Sequence, residues 1–362
     1  MSGHPGRWLI GAAFAGAVLA AGGAAAASET EKDSKAGGST TSAGDSVAGG
    51  PNVAGGTDPV GREAHAEHEQ SGKEADTHPV KFALDLVLGF GKTGVANQDL
   101  PGPLGAVNPS NSVGQAKATS ESFIIGGAVQ LGHFELGARL PLTLGSLDPS
   151  TGEQSRGTSA LGNFEVEGQY EHEFNDHTYG TFGLGVALPT AQGTEVPANA
   201  NQLNADATGR IDQTSYDRYS LNQAAAASRG WEENELFAPN RLGIIPRIGV
   251  GTHLVSGLTL EGYVKLENLI DTSGNAEHGY VAELVPGARI AYRAAAHFEP
   301  GLRVWANVAL AGSDENAVAV AEPELRFPFH DFTPTLGVVL PFAGPLTDPY
   351  FVGVRAAVAA QF

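Results

Sequence analysis

The stretch VKFALDLVLGF, residues 80–90, alternates between two kinds of residue. Every even position from Val80 to Phe90 is a large apolar residue, whereas the odd positions include Lys81, Asp85 and Gly89. Successive side chains of a β-strand point to opposite faces of a sheet, so this period of two predicts a strand with one wholly apolar face. The rest of the chain indicates what covers that face.

Segments of about ten residues with the same alternation recur as far as residue 362, and about twelve strands are predicted in all. Most connections after even-numbered strands are short, whereas several after odd-numbered strands are long, over residues 91–119, 143–159 and 190–240. Short turns at one rim and long loops at the other are typical of membrane barrels. The predicted fold class is all-β, an antiparallel up-and-down transmembrane barrel of about twelve strands. Lipid then covers the apolar face.

Aromatic residues lie at both ends of the apolar rows. A soluble sandwich would instead place its aromatics in mid-strand, whereas membrane barrels carry two aromatic girdles. The predicted girdles are Phe82, Phe134, Phe174, Tyr292, Phe329, Phe332 and Phe362 at the turn end, and Phe90, Tyr280, Phe342 and Tyr350 at the loop end.

The chain begins with features of a secretory signal. Arg7 precedes an apolar run from about Trp8 to Leu19, and small residues allow cleavage near Ala27, so residues 1–27 are predicted to be a signal peptide. Residues 28–78 are acidic and rich in Gly, Ser and Ala, which predicts a disordered periplasmic tail. Residues 79–362 are predicted to form the barrel in the cell outer membrane, with an extracellular loop at about 190–240.

Composition excludes several classes of protein. The formal net charge of -19 argues against nucleic acid as a partner, and the absence of Cys excludes thiolate metal sites and disulfides. GFGKTG at residues 89–94 is not a phosphate loop, because Leu86 stands where its first glycine would be. HEFNDH at residues 172–177 has a spacing one residue too long for zinc on a helix. No cofactor, metal site or catalytic residue is predicted, although a protease or lipase stays open as an alternative.

Charged residues occupy the face of the strands opposite the apolar one. Either these charges pair and fill a narrow lumen, or they line a water-filled path and impose selectivity. The predicted lumen-lining residues are Glu165, Glu167, Glu171, Glu173, Arg139, Arg241, Arg247, Glu261, Lys265, Arg289, Arg303 and Arg355.

The last segment, YFVGVRAAVAAQF, alternates and ends on Phe362, and it resembles the C-terminal signature strand of Gram-negative outer-membrane barrels. That resemblance implies that Phe362 is an assembly signal read by the barrel assembly machinery. The segments ARLPL, GVALPT and VVLPF are similar to the Leu-Pro strand ends of a family of about twelve-stranded barrels, labelled as a MetA pathway of phenol degradation. In that family Thr-Gly commonly follows Leu-Pro, whereas here Thr190 is followed by Ala191.

These features predict an outer-membrane channel or transporter component that passes small solutes through a narrow or gated lumen. The alternative is a structural or interaction barrel with a filled lumen, whose extracellular loops bind a partner. The loop segment NQAAAASRGWEENELF fits either function. It can fold into the mouth as a helical constriction, or present Trp231 and Phe237 to something outside.

Overall fold

The structure is a computed structural model, and it describes residues 80–96, 113–150, 154–196, 212–254, 257–274, 278–312, 317–343 and 351–362. The predicted signal peptide, residues 1–27, and the predicted tail, residues 28–78, lie outside these residues, as does Tyr350.

The described residues form one antiparallel sheet that closes on itself. Its strands are β1 (Val80–Ala96), β2 (Val113–Leu131), β3 (Phe134–Pro149), β4 (Arg156–Leu161), β5 (Glu165–Asn175), β6 (Thr178–Ala187), β7 (Arg241–Leu254), β8 (Leu258–Asp271), β9 (Tyr280–Tyr292), β10 (Glu299–Ala311), β11 (Ala317–Arg326), β12 (Phe332–Ala343) and β13 (Val352–Gln361). Strands β4 and β5 pair with successive parts of β3 and share one position, so the ring has twelve positions. Backbone hydrogen bonds between Val80 and Phe362 close it. The predicted fold class is confirmed.

The fourth position of the ring is interrupted at residues 162–164, between β4 and β5. The Thr190 hydroxyl bridges the break, since it donates to the carbonyl of Gly162 at 3.0 Å and accepts from the amide of Phe164 at 2.8 Å. The buried side chain of Asn163 turns inward and accepts from the amide of Ala191 at 2.8 Å. The break therefore exchanges ladder hydrogen bonds for side-chain ones and directs a polar side chain into the lumen.

The outward face carries the apolar rows, and the inward face carries the charges. In β1, Phe82 is 45% exposed whereas its neighbours Lys81 and Ala83 are buried. The described members of both predicted girdles are exposed as well. A closed barrel leaves no unpaired sheet edge, and this outer band of apolar side chains suits lipid rather than water. The protein is an outer-membrane barrel.

The wall extends beyond the predicted strands at the end that carries the long connections, which we call the loop end. Residues 91–119 were predicted to be a loop, but β1 continues to Ala96 and pairs with β2 from Val113. Part of the predicted loop 143–159 likewise continues β3 and forms β4. The prediction was wrong there because strand segments that rise above lipid need no apolar outer face, so the alternation that marks a strand disappears.

Two helices occur among the described residues, α1 (Gln213–Ser228) and α2 (Asn234–Phe237). No described helix is long and apolar enough to cross a membrane. Both helices belong to the connection between β6 and β7, which lies at the loop end.

Candidate functional site

Residues 213–237, here called the plug, lie inside the barrel. Helix α1 begins after Asp212, whose side chain accepts from the amide of Ser215 at 3.2 Å as an N-cap. Along its length α1 packs against β1, β2, β3 and β4, with Leu221 fully buried. The Ser220 hydroxyl donates to the carbonyl of Gly94 at 2.6 Å. The loop-end extension of β1–β4 is therefore the wall on which α1 is held.

The chain turns from α1 into the lumen through two left-handed residues. Gly230 has φ 67° and Trp231 has φ 56°. This conformation suits glycine but is uncommon for a bulky side chain. The turn is held by β10, because Trp305 Nε1 donates to the carbonyl of Gly230 at 3.0 Å and Asn307 Nδ2 donates to that of Trp231 at 2.9 Å.

Beyond the turn, Glu232 and Glu235 of the plug are fully buried and face basic residues of the wall. Arg303 Nη2 lies 2.6 Å from Glu232 Oε1 and 2.8 Å from Oε2. Lys265 Nζ lies 3.2 Å from Glu235 Oε2, and Arg247 Nη2 lies 3.5 Å from Glu235 Oε1. These contacts tie the plug to β7, β8 and β10.

Arg229 and Glu233 extend the same network to the opposite part of the wall. Arg229 Nη1 lies 2.9 Å from both Asp85 Oδ2 on β1 and Glu233 Oε2. The Nε of Arg229 also donates to Ser122 Oγ on β2 at 2.9 Å. Glu233 Oε1 lies 3.1 Å from Arg139 Nη1 on β3. Plug and wall charges thus alternate in sign across the lumen.

The basic neighbours outweigh the cost of burying the plug carboxylates. Burial favours the neutral acid, but Arg303, followed by Arg355, lowers the pKa of Glu232. Burial likewise opposes the charge of Glu235, but Lys265, Arg139 and Arg247 lower the pKa of Glu235 to about 2. Both groups are therefore anionic in the docked plug at neutral pH.

A second layer of charge lies closer to the short turns and consists of wall residues alone. Arg289 on β9 lies 3.3 Å from Glu261 on β8, 2.7 Å from Glu299 on β10 and 2.5 Å from Glu324 on β11. The Tyr179 hydroxyl donates to Glu261 at 3.0 Å. These partners belong to strands at most two positions apart, so this layer follows the wall and does not cross the lumen.

The predicted lumen residues fall into several groups. Arg139, Arg247, Lys265 and Arg303 contact the plug, and Arg355 lies one step away through Asp85 at 3.5 Å. Glu165 is buried between Arg139 and Arg247, and Glu167 pairs with Arg247. Glu261 and Arg289 form the second layer. Glu171 is buried near the turn end, Glu173 is exposed there, and Arg241 is half-buried at the loop end.

The sequence did not single out the plug residues as lumen residues. Of the two arrangements predicted for the loop segment, the structure has the inward one, with Phe237 fully buried. Glu232, Glu233 and Glu235 stand in the predicted loop at about 190–240, where acidic residues are ordinarily solvated. Their clearest sequence signal is the Ala-rich helix that precedes them, because a helix with an alanine face packs closely on another surface. Glu322 and Glu324, which are buried in the wall, were not among the predicted lumen residues either.

The described residues contain no group of three or more His, Asp or Glu side chains that could hold a metal ion. The buried acids and bases that hold the plug are paired with one another. The arrangement can therefore hold or release a chain segment and guide charged or polar solutes.

No family model matches the chain, and no curated protein matches it. Among solved structures, an outer membrane channel from Pseudomonas putida F1 is 12% identical, with a TM-score of 0.47, over 82% of this chain and 100% of that one. The NanC porin is 8% identical, with a TM-score of 0.41, over 77% and 100%. The translocator domain of the autotransporter NalP from Neisseria meningitidis is 10% identical, with a TM-score of 0.38, over 80% and 90%. At such scores these similarities carry no argument about function, and the narrower family resemblance stays a prediction.

Proposed function

We propose that the protein is an outer-membrane channel for small solutes whose lumen is closed by the plug and opens when the plug shifts. The plug is the gate, and the buried acidic and basic residues of the wall form its docking site. Once the plug has moved, the same wall charges line the path and select among solutes. The protein itself carries out no chemistry in this proposal.

One observation carries the proposal. The plug bridges residues from distant parts of the ring, such as Asp85 on β1 and Lys265 on β8, whereas the ion pairs within the wall join strands at most two positions apart. A barrel of about twelve strands is wider than one whose own side chains fill it. The part that crosses the lumen is therefore a segment joined to the wall mainly by side-chain contacts, and such a segment can move without breaking the barrel.

The competing function is a structural or interaction barrel with a permanently filled lumen. Complete burial of Arg229, Glu232 and Glu235 favours it, because removing one partner of a buried ion pair costs about 3 to 5 kcal/mol. A plug held by several such ion pairs leaves its docking site rarely, unless binding of a solute or another force offsets part of that free-energy cost. Conductance distinguishes the two functions.

The experiment compares two kinds of variant of the purified protein in planar lipid bilayers. Glu232→Gln with Glu235→Gln removes plug charge and should raise the open probability. Ser120→Cys with Ser228→Cys should lock the plug, because Ser120 Oγ and Ser228 Cβ both lie 2.4 Å from the position that a Cβ on Gly89 would occupy. The chain has no other Cys, so reductant should restore the conductance of the locked variant.

A matched control is Glu121→Gln with Glu173→Gln, which removes the same charge from exposed positions and should leave the conductance unchanged. If the plug-charge variant folds and carries no current, the lumen is a filled structural core and the channel proposal fails. A locked variant that conducts as well as the reduced one would show that solutes take another route.

We also propose that Phe362 contributes to assembly. Its side chain is 81% exposed, while its backbone is paired with Val80. An exposed terminal ring is accessible to the assembly machinery and contributes little to packing.

A further inference from the structure

A cavity that is partly open to solvent lies at the loop end, outside the charged network. It has a volume of about 390 Å³ and is bounded on one side by the plug and on the other by β7–β11. That volume is near the lower end of the roughly 300 to 1,000 Å³ typical of ligand pockets. The residues that determine its chemistry are Trp231, Asn234, Arg241, Glu283 and Asn307.

The lining contains buried polar atoms without a hydrogen-bond partner. Asn234 is 8% exposed, and its Nδ2 donates to Glu283 Oε2 at 3.1 Å. Glu283 Oε2 also accepts from Asn307 Nδ2 at 2.8 Å, so the carboxylate fixes the orientation of both amides. Asn234 Oδ1 is left without a partner, as are Trp231 Nε1 and Arg241 Nη1. Native structures pair nearly all such groups, and three around one cavity indicate that something else completes them.

The unpaired atoms specify the functional groups of the ligand. Asn234 Oδ1 needs a donor, whereas Trp231 Nε1 and Arg241 Nη1 need acceptors. A hydroxyl group is both donor and acceptor, so several hydroxyls on one small molecule satisfy all three. Trp231 adds an apolar ring face with a polar edge, a surface that suits a molecule with both CH and OH groups.

Charge around the cavity favours a neutral ligand. Among the described lining residues Arg241 and His278 have basic side chains, whereas Glu195 and Glu283 are acidic. An anion would meet two carboxylates, and a cation would meet the guanidinium. Trp231 also occupies a left-handed backbone conformation, φ 56°, which is strained in a bulky residue. The fold therefore holds this indole at the cavity at some cost in stability.

We propose that this cavity binds a neutral polyhydroxylated solute, a mono- or disaccharide, at the loop end of the barrel. The inference goes beyond the proposed channel, because the site can bind a solute whether or not that solute passes. Binding is measured in detergent, where no transport occurs. A failure of binding and a failure of conductance are therefore distinguishable.

The test is calorimetric titration of the purified protein with glucose, maltose, glucuronate and glucosamine. The neutral sugars should bind, and the anionic and cationic sugars should bind at least about tenfold more weakly, a difference of about 1.4 kcal/mol. Failure of both neutral sugars to bind, or tighter binding of either charged sugar, overturns the proposal.

Two variants locate the site. Ala309 lines the cavity from β10, so Ala309→Phe should fill the space and abolish binding. The adjacent Leu310 is 57% exposed on the lipid side, and Leu310→Phe should bind the sugar as the unaltered protein does. Equal binding by both variants would place the sugar elsewhere and overturn the assignment. The comparison of neutral, anionic and cationic sugars on the unaltered protein decides the ligand class even if Ala309→Phe does not fold.

Discussion

Gly353 lies so close to Ser228 that a Cβ added to Gly353 would stand 2.1 Å from the carbonyl oxygen of Ser228. Gly353 is the cross-strand partner of Gly89, and a Cβ on Gly89 would stand 2.4 Å from Ser228 Cβ. The two glycines therefore form a side-chain-free patch of the wall, and the end of α1 rests on it.

Gly353→Ala is expected to push the end of α1 off the wall. Overpacking of this kind typically costs about 1 to 3 kcal/mol, and the plug can relieve it by moving. The open probability in planar bilayers should rise while the barrel stays folded. The control is Gly126→Ala on the inward face of β2, where the nearest atom would be 3.7 Å from the new Cβ. Equal behaviour of the two variants would show that close contact at Gly353 does not seat the plug.

Leu336→Arg is expected to destabilise the barrel, because Leu336 is 51% exposed near the middle of β12 on the lipid face. Arginine costs about 2 to 4 kcal/mol at the bilayer midplane and about 0 to 1 kcal/mol near the interface. Phe342 lies on the same face of the same strand in the loop-end girdle, so Phe342→Arg is the matched control. Refolding into lipid vesicles at increasing urea concentration measures the stability of both variants. Equal losses of stability would contradict the assigned position of the apolar band along β12.

The fold could be predicted because lipid imposes one requirement on every outward position. Phe82 and Leu84 must be apolar wherever β1 faces lipid, and this produces the period of two in the sequence. Beyond the lipid-facing part of the barrel, outward positions need not be apolar. The continuation of β1 to Ala96 therefore could not be recognised from the sequence.

The candidate site was less predictable, because its contacts join positions far apart in the chain. Arg139 was recognised as a lumen residue, but its partner Glu235 stands 96 residues later, in the segment predicted to be a loop. A loop glutamate has the same local sequence whether water or a guanidinium surrounds it. The alternation of apolar and polar residues along each strand predicted that the wall charges point into the lumen. Their pairing with the plug could be seen only in the folded structure.

Asn163→Asp is expected to loosen the plug at the break between β4 and β5. Asn163 Nδ2 donates to the carbonyls of Glu235 and Ala238, both at 2.8 Å, and aspartate has the same shape without these donors. Leaving buried carbonyls unpaired costs about 1 to 3 kcal/mol, so conductance should rise. Asn175→Asp is the control, because Asn175 Oδ1 only accepts from the amide of His177, a role that aspartate keeps. A closed Asn163→Asp channel would mean that the other plug contacts suffice.

Phe362→Ala is expected to slow insertion in cells while leaving the purified barrel stable. The alanine keeps the backbone hydrogen bonds to Val80 at 2.9 and 3.1 Å and removes a ring that is 81% exposed. Membrane-inserted protein after a short induction measures assembly, and the unfolding temperature in detergent measures packing. Equal impairment in both measurements would assign Phe362 to packing alone.

The last prediction is that mild acid leaves the plug docked. Docking lowers the pKa values of Glu232 and Glu235. The two carboxylates therefore contribute fully to the stability of the docked plug at any pH above the ordinary glutamate pKa of about 4.3. This contribution is lost only as the pH falls through the docked values, about 2 for Glu235. Burial raises the pKa of Glu233, so uptake of a proton by that group relieves a desolvation cost and does not weaken docking.

Conductance at pH 7, 5 and 3 tests this prediction. The current should stay low at pH 7 and 5, and openings should increase only toward pH 3, where Glu235 begins to take up a proton. The Glu232→Gln, Glu235→Gln variant has already lost both charges, so its higher current should change little over the same range. Opening of the unaltered protein between pH 7 and 5 would contradict the prediction, because neither lowered pKa lies in that interval, and the gate would then depend on groups other than these two carboxylates.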